Sequence, residues 1–420
     1  MLRATLTLLA GGALAQAVPL LLWPLIARLF TPSAMGVYTA FSTVAATVAV
    51  VACARYEYAL PMARDELQAA HLLALCLRVA LGVVAVSIPL AWGLARWAHL
   101  PLAAWLPVTV AASGLLSLFM MWSNRADRFR ALAASRVVQY GGAAALQLLL
   151  GALLWRGKAS GTNNAWVLTL GPVLAMGLAT LPLLGPAPQG GWRAVFRSGQ
   201  GLREVARRYR DFPLLNTPHA FLGTLQDALA AALLIAWSGN AAAGFWGLAL
   251  RYLKAPATLV GTAVSQALYP KLTQSDAAQA QRAVREVMVI LGALACALMA
   301  VLLVAGPWLF ERVFGAPWRT AGELARALAP YIAVHFVAAP LAVVTMAWQA
   351  QRWAFRLAVI GQIVFLACLA WGLWTGGAEH GLLRGAWAVS GGMVLYFGYY
   401  FWRLARWKAI PPSVTQKAAS

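Results

Sequence analysis

The chain has 420 residues, of which 62% are hydrophobic and 11% charged. Soluble domains carry about 25% charged residues, so the composition excludes an ordinary soluble protein and indicates a polytopic membrane protein. The net charge of +21 would prompt a nucleic-acid reading in a soluble domain; here the basic residues must first be placed against the bilayer.

A helix needs about 20 mostly apolar residues to cross the hydrocarbon core. Twelve stretches qualify: 5–29, 36–60, 68–95, 101–123, 133–155, 164–184, 212–237, 242–270, 284–307, 325–348, 354–375 and 382–404. At the N-terminus, Arg3, an apolar run and Ala13-Leu14-Ala15 imitate a signal peptide. The run continues uncharged to Ala27, which suits an uncleaved first span. Arg28 stands at the outer end of that span, where snorkelling to a headgroup explains it. The second span is polar at Ser42, Thr43 and Thr47 and closes on Arg55-Tyr56-Glu57, and Arg78 lies inside the third. Cys53, Cys76, Cys296 and Cys368 sit singly in apolar runs, as small packing residues rather than a disulfide framework or metal site.

Between the sixth and seventh spans, Trp192, Val195, Phe196, Leu202, Val205 and Tyr209 are spaced for one helical face, with six arginines among them. This predicts an amphipathic helix lying on the inner leaflet. The seventh and eighth spans meet at a short turn, Ser238-Gly239-Asn240. Counted from it, Asp227 on one side and Arg251 and Lys254 on the other reach similar depth. Charges at such depth are expensive and mark functional sites by default. Arg251, Lys254, Thr258, Thr262 and Ser265 recur at three- and four-residue spacing, which places them on one polar stripe. Asn216, Gly223 and Asp227 lie roughly along one face of the seventh span, with His219 nearby. His335, in the tenth span, reads as a hydrogen-bonded interior residue.

Orientation follows from the loops. With the N-terminus inside, 22 lysines and arginines fall on the cytoplasmic side and 8 on the other, leaving Arg78, Arg251 and Lys254 at depth. The positive-inside rule then puts both termini in the cytoplasm. Most of the net charge is accounted for by topology and attraction to anionic lipid, which argues against a nucleic-acid partner.

The sequence also repeats weakly. Trp122 to Arg130, after the fourth span, resembles Trp348 to Arg356 after the tenth, a lag of 226 residues. Thr31 to Tyr38, before the second span, resembles Gly239 to Trp246 before the eighth, at a lag of 208. Six plus six spans give two halves of the same orientation, and transporters built from repeats bind substrate at the repeat interface. The expected fold is therefore all-α and polytopic: an N-terminal lobe over 1–184, a cytoplasmic linker over 185–211, and a C-terminal lobe over 212–420. A central cavity between the lobes belongs to that expectation.

Several cations at different depths suit an anionic substrate, because guanidinium groups grip phosphate bidentately. Arg251, Lys254, Arg55 and Arg78 are the candidate substrate-binding residues. Asp227 and Glu57 are candidates for gating or ion coupling, Asp227 having the alternative of a structural pair with Arg251 or Lys254. Asn216, His219, Thr258, Thr262 and Ser265 are candidate polar lining. No Gly-rich phosphate loop, nucleophile elbow, metal-ligand spacing or pair of deep carboxylates is present, so neither an enzyme nor a bound cofactor is expected.

Tyr209-Arg-Asp-Phe-Pro213, Asn216-Thr-Pro218, Gly244-Phe-Trp246, Arg251 and Tyr269-Pro270 resemble the polysaccharide-transport branch of the multidrug/oligosaccharidyl-lipid/polysaccharide exporter superfamily. Arg55-Tyr56-Glu57, Phe314-Gly315, Trp318, Ala321-Gly322 and Pro330 extend the resemblance over nearly the whole chain. It implies two six-helix lobes around a cationic cavity, with a groove for a lipid tail. It also implies an O-antigen flippase carrying undecaprenyl-diphosphate-linked oligosaccharide across the bacterial inner membrane, driven by a proton or sodium ion or by downstream polymerisation. Membrane lipids and polysaccharide polymerase machinery are the implied partners. A drug or organic-cation antiporter of the same superfamily is the rival, but it calls for surplus deep carboxylates. A polymerase or ligase calls for a large external loop, which this chain lacks.

Overall fold

The computed structural model describes residues 17–155, 164–185, 201–408 and 410. Its regular structure among these residues is helical. In chain order the helices are α1 (Ala17–Leu29), α2 (Pro32–Ala49), α3 (Glu66–Trp97), α4 (Leu106–Arg125) and α5. The last starts as Phe129–Val137 and passes through a π turn, Val138–Gly142, into Ala143–Trp155. There follow α6 (Ala165–Thr180), α7 (Leu202–Arg208), α8 (Thr217–Gln274), α9 (Ala277–Phe314), α10 (Arg319–Ala347) and α11 (Gln351–Ala405). Two long helices are broken, α8 at Gly239 (φ 80°) and α11 at Gly377 (φ 60°), both left-handed positions that glycine occupies without a Cβ clash.

Among the described residues, eight stretches are long and apolar enough to cross a membrane. One of them, Phe212–Gln274, contains the Gly239 break and so supplies two crossings. On α9, Val289, Ile290, Val301, Val304 and Trp308 are all more than half exposed. An apolar ridge of that kind is what a helix presents to lipid. The chain is a multi-pass membrane protein.

It forms two compact units, Met1–Ala231 and Ala232–Ser420. The core of the first gathers Leu72, Leu73, Leu118, Trp122, Leu132 and Leu183. Interhelical hydrogen bonds tighten it: buried Gln147 on α5 donates to Leu168 O on α6 at 2.6 Å, and Ser123 donates to Leu183 O at 3.1 Å. The core of the second gathers Leu268, Leu291, Phe336, Leu341, Val344 and Tyr400. There Ser390 donates to Ala327 O at 2.6 Å and Tyr400 to Leu341 O at 3.2 Å.

The internal repeat is present in the backbone, but partly in another register. The helix-starting match holds at 208 residues: Thr31 caps α2, and Gly239 precedes the second limb of α8. The other match does not hold at 226. Helix α4 ends at Arg125, Asp127 is left-handed (φ 52°), and Arg128 N donates to Ser123 O at 3.0 Å. Helix α10 ends at Ala347, Gln349 is left-handed (φ 54°), and Ala350 N donates to Thr345 O at 2.8 Å. Both are Schellman-type helix ends, and every equivalent position lies 222 residues apart, one helical turn short of the sequence match. A further pair of helix starts corresponds: Asp65 caps α3 by accepting from Gln68 N at 2.6 Å, and Asp276 caps α9 by accepting from Gln279 N at 2.7 Å. Replacing Asp276 by alanine is expected to cost about 1 kcal/mol, read as a lowered midpoint in thermal unfolding of the detergent-solubilised protein.

Two expectations change. The second span does not stay helical to residue 60; α2 stops at Ala49 and Tyr56–Met62 is a 3₁₀ turn. The linker residues 186–200 lie outside the described residues. What is described, α7, does not lay its apolar face on lipid: Val205 and Tyr209 are buried in the core of the first unit. Tyr56 donates to Ala206 O at 3.2 Å, and the Tyr209 hydroxyl lies 3.2 Å from Gln68 Oε1.

Candidate functional site

The residues singled out by charge fall in both units. In the first, Ala54 (φ 47°) and Arg55 (φ 61°) are consecutive left-handed residues, each costing roughly 1–2 kcal/mol. Beyond them the Tyr56–Met62 turn packs against α3 and α4. Glu57 is thereby 4% exposed, with Ser117 of α4 beside it and no hydrogen-bond partner for Oε2. The Arg55 guanidinium lies 4.9 Å over the Tyr58 ring, and its buried Nε is also unpartnered. Backbone strain and unsatisfied charged atoms concentrate where a site is being held for use. Arg28 on α1 and Arg78 on α3 are exposed.

Asn216, at the end of the π turn that leads into α8, is exposed, as are His219 and Asp227 on its first limb. All three belong to the first unit.

In the second unit the residues of the stripe have a definite surrounding. Arg251 is exposed and Lys254 half-buried. Thr258 donates to Lys254 O at 3.1 Å and Thr262 to Thr258 O at 2.9 Å, so each hydroxyl keeps acceptor capacity for a ligand. Ser265 donates to Pro340 O at 3.0 Å, and Gly261 packs on the Pro340 ring, which seats this limb against α10. Further toward the start of α10 stands His335. The His335 ring meets Tyr331 edge-on at 5.7 Å and Phe397 at 6.2 Å. Its Nδ1 is enclosed without a partner. On α8, Tyr252, Leu253 and Pro256 line an apolar recess of about 310 Å³ completed by α9, where Tyr252 meets Phe314 edge-on at 4.8 Å.

This set offers cations and hydroxyls next to a hydrocarbon-lined recess. Among the described residues no group of three or more His, Cys, Asp or Glu is placed to hold a metal ion. Anion binding is the chemistry it can do. Residues 25–323, well over half of the chain, match a family model described as polysaccharide biosynthesis protein. The chain belongs to that family.

No curated protein matches this polysaccharide biosynthesis protein significantly. Solved structures do, at low identity. An inward-facing multidrug-resistance MATE family transporter of the MOP superfamily is 13% identical, with a TM-score of 0.69 over 94% of this chain and 93% of the other. The lipid II flippase MurJ in an inward-closed conformation is 10% identical, with a TM-score of 0.68 over 96% and 90%. The Vibrio cholerae MATE transporter VcmN in its bent form is 14% identical, with a TM-score of 0.55 over 97% and 98%. At such identities the likeness is one of fold, and that fold is the two-lobed helical one expected from the repeat.

Sequence spacing found the stripe but missed its neighbours. That Ser265 reaches the Pro340 carbonyl depends on how α10 packs against α8, which no local pattern encodes.

Proposed function

We propose that this protein is a flippase for lipid-linked saccharides, moving undecaprenyl-diphosphate-linked repeat units across the bacterial inner membrane by alternating access, with both termini cytoplasmic. The observation that carries the reading is the position of Arg251 and Lys254: two cations on one stripe, beside an apolar recess, in a membrane chain of a polysaccharide biosynthesis family. A sugar diphosphate cannot cross hydrocarbon unaided, whereas its polyprenyl tail can stay in lipid. Cations that replace water around the diphosphate remove the main part of the barrier, and no covalent step is needed. Arg55 and Arg78 are the further cations proposed for the path. Asp227 and Glu57 are the carboxylates proposed to respond to a coupling proton or sodium ion. The MurJ structure is described as a lipid II flippase, which supports the same class of cargo for this fold.

The test is a leaflet assay. Purified protein is reconstituted into vesicles with a fluorescent undecaprenyl-diphosphate oligosaccharide, and the label in the outer leaflet is quenched at intervals. Transbilayer movement faster than in protein-free vesicles is expected. Equal rates, with the protein shown to be folded and inserted, overturn the proposal.

A further inference from the structure

The Tyr56–Met62 turn is fastened to α7 at both of its ends. At the start, Tyr56 donates its hydroxyl to Ala206 O at 3.2 Å; at the finish, the Tyr209 hydroxyl reaches Met62 O at 3.4 Å. The π turn Phe212–Asn216, which leads into α8, also packs on it. Between the two attachments stands Glu57, 4% exposed, with Oε2 lacking a hydrogen-bond partner. Immediately before the turn, Ala54 and Arg55 are left-handed, and the Arg55 Nε is buried and unpartnered as well. All of these residues belong to the first unit, and both the Tyr56–Met62 turn and α7 lie outside the membrane-crossing stretches.

A buried carboxylate with an unpartnered oxygen is far costlier in its charged form than as a neutral acid. Burial pushes the Glu57 carboxyl above the ordinary glutamate value, against the pull of its own backbone, of Arg55 and of Ser117 on α4. The other ionisable groups nearby do not offset the charge. Tyr56 is given to α7, and Cys53 and Cys76, the latter from α3, share the apolar core of the turn. Arg125 of α4 is spent on Ala63 O and Glu66. Phe212–Asn216 carries no ionisable side chain, and Arg203, Glu204, Arg207 and Arg208 of α7 are exposed. His71 of α3 lies under Gly201, at the other end of α7.

The closed arrangement therefore suits a protonated Glu57. Its ionisation calls for water, which enters when the turn lifts. Lifting gives up both tyrosine contacts with α7, and it lets Ala54 and Arg55 leave a strained backbone region.

We infer that Glu57 is a proton-controlled latch: as a neutral acid it keeps the Tyr56–Met62 turn closed and α7 docked, and on losing its proton it releases α7. The docked state holds the carboxyl at its raised value and the released state returns it to an ordinary one. Docking is thus complete at low pH and is lost as the pH rises through the docked value. The inference rests on the coupling role given to Glu57 above and assigns its ion as a proton; no substrate enters it.

Hydrogen exchange of the full-length protein in detergent tests this, followed on the α7 amides between about pH 5 and about pH 8, above the ordinary glutamate value of about 4.3. At each pH the rate is divided by that of Glu57→Gln, which keeps the side-chain shape but cannot ionise, so the chemical pH dependence of exchange cancels. The ratio should be near one at the lowest pH and grow by up to about tenfold per pH unit. Tyr56→Phe, which removes the bond to Ala206, should speed α7 exchange at every pH. A constant ratio, as when His71 is the titrating group, overturns the inference. So does α7 exchange that Tyr56→Phe leaves unchanged. Should Glu57→Gln fail to fold, the unaltered protein decides alone: α7 protection that does not fall as the pH rises overturns the latch. Transport is read separately in the leaflet assay, so the flippase reading stands whichever of these is found.

Discussion

Replacing Arg251 and Lys254 together by alanine is expected to lower transbilayer movement of the lipid-linked substrate by about a hundredfold while the protein still inserts. The size follows from the hydrogen bonds lost. A bond to a charged group is worth about 1.5–3 kcal/mol, at least about tenfold for each residue, and the two residues sit one helical turn apart, where both can reach a single diphosphate. Arg251 is exposed and Lys254 half-buried, so their removal opens no cavity of the kind that destabilises a core. Lys254→Arg keeps the charge and should retain most of the activity, whereas Lys254→Gln should not. The measurement is the leaflet assay, with insertion checked separately by membrane fractionation. Unchanged movement in the double variant rules out the stripe as the place where the anion is held.

The helices were legible because their signals are local. Runs of about 20 apolar residues set the spans, and Gly239 marked the break in α8 because only glycine accepts that backbone freely. The repeat was legible in composition and illegible in register. Trp122 and Trp348 are both buried near helix ends, which made them look equivalent. The backbone aligns Asp127 with Gln349 instead. Neither is the glycine that usually marks such an end, so the cue that would have set the register was missing. Arg55 illustrates the same gap. A left-handed arginine has no sequence signature, and the helix expected to run to residue 60 stops at Ala49, with Ala54 and Arg55 left-handed beyond it. Glu57 then lies buried in its unit rather than at a helix end. Leu202, Val205 and Tyr209 keep the spacing of one face, but periodicity says only that a face is apolar, not whether lipid or protein will cover it. Its cover is protein, through Tyr56 and Tyr209.

The turn of α11 gives the second large effect, and it separates packing from composition. Gly372 and Gly385 face each other across the hairpin so closely that a Cβ on Gly372 would run into the backbone of Gly385. Nearer the turn, a Cβ on Gly376 would lie 2.5 Å from Gly381 Cα. The obstacle is main chain on both sides, so no rotamer change can make room. Gly391, on the second limb, has nothing within 4 Å of an added Cβ. Gly372→Val should therefore force the limbs apart, at a cost of about 3 kcal/mol or more, a large share of the roughly 5–15 kcal/mol that holds a native protein together. Gly391→Val, the same substitution on the same hairpin, should cost less than about 0.5 kcal/mol. Yield of monodisperse protein and the thermal midpoint in detergent distinguish the two. If both variants behave alike, the limbs of α11 do not meet at Gly372, and the close glycine contact is not what sets this hairpin.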